Sequence, residues 1–132
     1  MTRAVPDPDL QKLFSYNVFT QLSGAVTAGM IHLGDKLGLY AVLAATQEPL
    51  TTAELADRAG LDERWVREWA FNQAAAKLVT ADTSDPPDRF SLSPEAVSVL
   101  ADHDSAAYGM GMFHRFPQTI SPYPNAHQLL LG

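Results

Sequence analysis

The sequence predicts a mainly α-helical fold, a winged helix-turn-helix with a two-stranded wing preceded by long N-terminal helices, and three observations carry that expectation. Apolar residues recur at helical spacing through residues 9–45. A capped short helix, a glycine turn and a second capped helix follow one another between Thr51 and Lys77. Two short strand-like runs then flank a polar loop between Leu78 and Leu92.

Taken in order, residues 1–8 read as a flexible arm in which Pro6 and Pro8 favour extended backbone. Asp9 can cap a helix carrying Leu10, Leu13, Phe14, Asn17 and Val18 at i, i+3, i+4, i+7 spacing. Helical pattern continues from about Gln21 to Ala45, with Leu22, Val26, Met30, Leu33, Leu37 and Val42 on its apolar face. Small residues are dense here: Ser23, Gly24, Ala25, Ala28, Gly29, Gly34 and Gly38. Glycine weakens a solvated helix by about 1 kcal/mol relative to alanine. Either close packing against another helix, in cis or across a dimer, recovers that loss, or the helix breaks at Gly24 or Gly34. Gln47-Glu48-Pro49-Leu50 is a breaker with an apolar anchor, and Thr51-Thr52-Ala53-Glu54 is a capping-box pattern. The helix it opens buries Leu55, Ala56 and Ala59 and stops at Gly60. Asp62 caps the next helix, which places Val66, Trp69, Ala70 and Ala74 on one face; Trp65 and Trp69, one turn apart, are expected to pack structurally. Leu78–Ala81 and Arg89–Leu92 form the two-stranded wing around Asp82–Asp88. Ser93-Pro94-Glu95 then opens a helix with a serine cap, proline at the first position and an acid in the first turn. Asp102 and Asp104 cap a further segment, Ala106 to about Phe116. Pro117, Pro122 and Pro124 break the chain before a last helical turn at Asn125–Leu131.

Composition narrows the function classes. In 132 residues, 46% hydrophobic and 18% charged, one globular domain with its own core is expected. The chain has no cysteine, which excludes disulfides and thiolate metal sites and fits a cytoplasmic location. No signal-peptide pattern opens it, and the apolar region from Val18 to Ala45 is too polar and too rich in glycine to span a bilayer.

Nine basic against fifteen acidic residues give a formal net charge of −6, which disfavours nucleic acid. The second helix of the motif sets Asp62, Glu63 and Glu68 against Arg64 and Arg67, and the wing sets Asp82, Asp85 and Asp88 against Arg89. Those carboxylates repel phosphate, so DNA recognition by a transcription regulator remains only an alternative, carried by Arg64 and Arg67. His32, His103, His114 and His127 are too scattered for a metal site, and no metal is expected. No catalytic residue is assigned. The run Tyr108–Phe116 is rich in Met and aromatic residues, which suits an adaptable pocket wall as well as a core or a dimer seam.

The runs LGLYAVLA, PLTTAELADRAGLDERWVREW, AAAKLV and RFSLSPEAVSVLAD, in this order, resemble the N-terminal winged-helix domain of bacterial class I S-adenosylmethionine-dependent small-molecule methyltransferases. The resemblance extends over about residues 10–116. It implies a homodimer through N-terminal helices (residues 9–45), with Leu13, Leu22, Gly24, Ala28 and Met30 at the interface. The winged helix-turn-helix, residues 46–101, then serves as scaffold. Residues 102–132 lead toward a Rossmann-like catalytic domain that binds S-adenosylmethionine. Phe14, Tyr16, Phe113, His114 and Phe116 would form the wall of the small-molecule acceptor pocket. The catalytic domain itself has no counterpart: Gly109-Met110-Gly111 lacks a preceding hydrophobic strand and a third glycine. The expectation is a fragment, or a gene product without its catalytic half, that caps substrate and dimerises but transfers no methyl group alone.

Overall fold

The computed structural model describes residues 4–131. It opens with a single helix, α1 (Pro8–Lys36), of 29 residues, about 43 Å long at 1.5 Å per residue. Its cap is Asp7, whose carboxylate accepts the N–H groups of Asp9 and Leu10 at 2.9 and 3.0 Å. The cap expected at Asp9 thus lies two residues earlier, because Pro8 lacks an N–H to satisfy and is itself a good first helical residue. Residues 1–3 of the expected arm, and Gly132, lie outside the described residues.

Neither Gly24 nor Gly34 breaks α1, and the helix does not run on to Ala45. The break falls at Gly38, whose φ of +72° is left-handed and cheap only for glycine. From it starts α2 (Leu39–Ala44). Gly34 serves close approach instead: a Cβ there would lie 2.7 Å from Trp69 Cζ2 and 2.8 Å from Tyr40 Cε2.

The helix-turn-helix forms as its caps dictate. Helix α3 (Thr52–Ala59) has a complete capping box, Thr51 N–H to Glu54 at 2.8 Å and Glu54 N–H to Thr51 Oγ1 at 3.2 Å. Gly60 ends it in the left-handed region, and Leu61 N–H returns to the Ala56 carbonyl at 2.9 Å. Asp62 caps α4 (Glu63–Ala75) by accepting the Arg64 N–H. Val66, Trp69 and Ala70 are buried on α4, together with Gln73, a polar residue whose partner is the Tyr40 hydroxyl. The Trp pair divides: Trp69 is 3% exposed, whereas Trp65 is 66% exposed and does not join the core as expected. At i and i+4 they sit about 40° apart around the axis. Gly34 and Met30 of α1 meet Trp69 and leave Trp65 outside.

The two strands of the wing pair as expected, and a third strand joins their sheet. β1 (Leu50–Thr51), β2 (Thr80–Asp82) and β3 (Arg89–Ser91) form an antiparallel sheet in the order β1-β3-β2. Leu50 pairs with Phe90, and both are buried. A two-residue strand displays no alternation, which is why Pro49-Leu50 reads only as a breaker in the sequence. Helix α5 (Pro94–Leu100) starts at the Ser93 cap as expected. Asp102 caps a turn, accepting the Asp104 N–H at 3.0 Å, and residues 106–110 are not helical. Three short helices follow, α6 (Gly111–His114), α7 (Phe116–Ile120) and α8 (Tyr123–Leu130). Pro117 and Pro124 sit in the first turns of α7 and α8, starting helices where breaks were expected.

The core joins Leu39, Tyr40 and Leu43 of α2 to Leu55, Val66, Trp69 and Phe90. Ile31 and Gly34 bring only the last turns of α1 into it.

Candidate functional site

Helix α1 has two unlike halves. From residue 8 to residue 26 every side chain is exposed, including Leu10, Leu13, Phe14, Tyr16, Val18, Phe19, Leu22 and Val26 at 52–74%. No Asp, Glu, Lys or Arg occurs between Leu13 and Gly34. At 100° per residue these large side chains surround the axis rather than forming one stripe. A helix apolar all round is stable where it is enclosed. Of the residues expected at a dimer interface, Leu13 and Leu22 are exposed, and a Cβ on Gly24 would meet nothing within 4 Å. Ala28 and Met30 are half-buried, and the Met30 carbonyl accepts the Trp69 Nε1–H at 2.9 Å.

Where α1 reaches the core, it borders an apolar groove of about 700 Å³. Met30 and Leu33 of α1 and Leu37, which caps its C-terminus, form one wall, and Leu61, Trp65 and Trp69 the other. Asp62, Arg64 and Glu68 lie along the same lining. The Arg64 guanidinium rests 5.2 Å from the Trp65 ring centre.

A second junction clasps α6 and α7 to the same end of α1. His32 Nδ1 lies 2.9 Å from the Phe113 carbonyl oxygen, and His114 Nδ1 lies 3.5 Å from Asp35 Oδ2. The Phe116 ring would be 3.6 Å from a Cβ on Gly29. Asp35 is only 18% exposed at its side chain. Burial, assisted by the Asp35 carboxylate, pushes the Tyr40 hydroxyl far above its ordinary pKa and the Tyr108 hydroxyl upward. Three of the five expected pocket residues, Phe113, His114 and Phe116, are therefore brought together here. Phe14 and Tyr16 are not: on a straight α1 they stand 15 and 13 residues before Gly29, about 20 Å away along the axis. Sequence reasoning missed His32, Asp35, Tyr40 and Gln73. The signal was available for Asp35, the first charge after the uncharged run of α1.

Two of the basic groups that a DNA-binding face would use, Arg67 and Arg89, are paired within the chain, while Arg64 rests on Trp65. Arg67 bonds Glu63 at 2.6 Å, and Arg89 reaches Glu54 at 3.3 Å and the Pro49 carbonyl at 3.2 Å. Glu63 is held below the usual carboxylate range by the Thr52 hydroxyl and then by Arg67. Asp82 is held down by the Ser84 hydroxyl and N–H. Ionised carboxylates thus persist on the motif and the wing. Among the described residues, no three His, Asp or Glu side chains converge as metal ligands. No helix among them is long and apolar enough to cross a membrane. A class I cofactor site also needs parallel strands feeding helix N-termini, and this sheet is antiparallel with strands of two and three residues. These residues therefore do not fit S-adenosylmethionine.

Among solved structures, human N-acetylserotonin methyltransferase in complex with SAM shares the fold with a TM-score of 0.70 at 15% identity, over 96% of this chain and 36% of its own. N,N-8-amino-8-demethyl-D-riboflavin dimethyltransferase (RosA) from Streptomyces davawensis matches with a TM-score of 0.60 at 26% identity, over 92% of this chain and 33% of its own. The chain spans about a third of the length of these solved structures. Comparison with curated proteins finds no match. A family model described as the Rv2258c-like winged HTH domain matches residues 25–102, more than half of the chain. The capped helix-turn-helix, its small antiparallel wing and this match agree, and the chain belongs to the Rv2258c-like winged HTH domain family.

Proposed function

We propose that this chain is the dimerisation and substrate-cap domain of an S-adenosylmethionine-dependent small-molecule methyltransferase acting in the cytoplasm. The observation that carries the proposal is the fold shared over nearly the whole chain with two methyltransferases, each about three times as long. The division of labour is chemical. Cofactor binding and methyl transfer belong to a Rossmann-like domain outside these residues. This chain contributes an enclosing apolar helix and a wall built from Phe113, His114 and Phe116, with Phe14 and Tyr16 reaching the acceptor pocket from the partner copy. A winged-helix scaffold fits this role, since its recognition helix presents an exposed Trp65 beside an apolar groove and self-paired charges.

The test compares this chain with the longer protein that contains it. Sedimentation equilibrium of residues 1–132 should report a homodimer, and a monomer at high concentration would overturn the dimerisation role. Calorimetric titration with S-adenosylmethionine should give binding by the longer protein and none by the chain alone. Micromolar binding to the chain would overturn the division of labour.

A further inference from the structure

We propose that α6 and α7 form a strap that closes onto the end of α1 when His114 takes up a proton and pairs with Asp35, a pH-dependent latch built into the fold.

Apolar packing holds the strap only loosely. Met110 is buried and pins its start. Beyond that point neither α6, four residues long, nor α7, five residues long, has a buried residue or a side-chain cap. Phe113 and Phe116 are half-buried, the second of them against Gly29. Segments with so little buried apolar surface open locally at a small cost in free energy. Contacts with the last turns of α1 therefore decide whether the strap is closed. Two of these are polar and both use histidine, His32 on the Phe113 carbonyl and His114 on Asp35.

The two contacts answer to pH differently. A carbonyl oxygen only accepts, so His32 carries a proton on Nδ1, which neutral imidazole and imidazolium both provide. Asp35 and His114 attract as ions only while the His114 imidazole is protonated. That attraction is complete in mildly acidic solution and fades as pH rises and the imidazole loses its proton. The Asp35 side chain is mostly covered, so water screens it less than a fully exposed carboxylate.

The groups around the pair do not replace either partner. Tyr40 of α2 and Tyr108 in the turn before α6 both feel the Asp35 carboxylate, and burial together with that charge keeps their hydroxyls neutral through the histidine range. His103 lies against Tyr108, with ring centres 4.5 Å apart. Lys36 and Arg115 adjoin Asp35 and His114 along the chain and are exposed. His32, three residues before Asp35 on α1, is the nearest rival sensor. Because α6 and α7 carry Phe113, His114 and Phe116, the latch sets the position of that wall. This consequence rests on the acceptor-pocket reading above, whereas the latch itself does not.

Hydrogen exchange followed by NMR on residues 1–132 tests the latch. The His114 N–H bonds the Met110 carbonyl at 2.9 Å, and the Thr119 N–H bonds the Arg115 carbonyl at 3.1 Å. Helices this short do not persist alone in water, so protection of these two amides reports closure. After correction for the intrinsic pH dependence of exchange, both should be about fivefold better protected at about pH 5.5 than at about pH 7.5, the effect of one ion pair near the surface. The buried Val66 and Ala70 of α4 supply the reference for global opening. His114→Gln, at an exposed position, and Asp35→Asn should each lower protection at the acidic pH to the parent's value at the higher one. Equal protection of the parent at the two pH values overturns the latch. A difference that survives in either variant belongs to His32 or His103 and overturns the assignment to His114 and Asp35.

Discussion

Gly34→Ala is the sharpest probe of how α1 is fixed to the winged helix. The new methyl would lie 2.7 and 2.9 Å from Trp69 Cζ2 and Cε2 and 2.8 Å from Tyr40 Cε2, all closer than a Cβ is found in real structures. The rings cannot easily retreat. They pack edge to face with centroids 5.2 Å apart, Trp69 Nε1–H is held by the Met30 carbonyl, and the Tyr40 hydroxyl donates to buried Gln73. Overpacking of this kind costs about 1–3 kcal/mol, and three contacts on two anchored rings place it at about 3. Alanine in a helix interior returns about 1 kcal/mol, leaving a net loss of about 2. For a domain of this size that lowers Tm by about 8 °C. Thermal unfolding followed by circular dichroism, with and without Trp69→Leu, reads it. Trp69→Leu is destabilising alone, but in its presence Gly34→Ala should lose most of its cost, because the ring it collides with is gone. An unchanged or raised Tm for Gly34→Ala, or strict additivity in the double variant, would refute the close-approach argument.

Tyr40→Phe should cost about 1–3 kcal/mol in denaturant titration, because it leaves the buried Gln73 oxygen without its donor. The same variant tests a pH effect. Burial, then Asp35, raises the folded-state pKa of Tyr40, so this contribution is intact below the unfolded value of about 10 and is lost as pH rises past it. The fall in stability above pH 10 should be shallower in Tyr40→Phe, and identical slopes would contradict the assignment. Glu54 has the opposite sign: its bonds from Thr51 lower its pKa, so its contribution is present above about pH 4.3 and disappears as pH falls. Glu54→Gln should be less stable than the parent at pH 7, with the difference closing as pH falls through the Glu54 titration; a difference constant with pH would be the adverse result. Duplex DNA should show no salt-dependent affinity for the chain, and Arg64→Ala with Arg67→Ala should leave that unchanged, as fluorescence anisotropy would show.

Legibility in the sequence followed the range of the forces involved. The capping box at Thr51 and Glu54, the left-handed Gly60, the Asp62 cap and the Ser93-Pro94 start were all readable, because each is satisfied within about one helical turn. The family resemblance rested on those motifs and agrees with the family match over residues 25–102. What failed was decided by distant partners. Gly34 gave the same local signal as Gly24, yet one is packed beneath Trp69 and Tyr40 and the other stands in open space. Trp65 and Trp69 share a spacing and a residue type, and only the position of α1 determines which is buried. Leu50 is a strand only because Phe90, forty residues later, pairs with it. The clasp of His32 and Asp35 with Phe113 and His114 is equally invisible until α6 folds back onto α1.

The sequence by itself determined the helix-turn-helix, its acidic surface and the uncharged apolar run of α1, since caps, composition and periodicity are properties of neighbouring residues. Only the tertiary structure decided which half of that run is covered. Burial depends on what the rest of the chain brings alongside, and this chain brings the core to residues 27–36 and leaves residues 8–26 exposed.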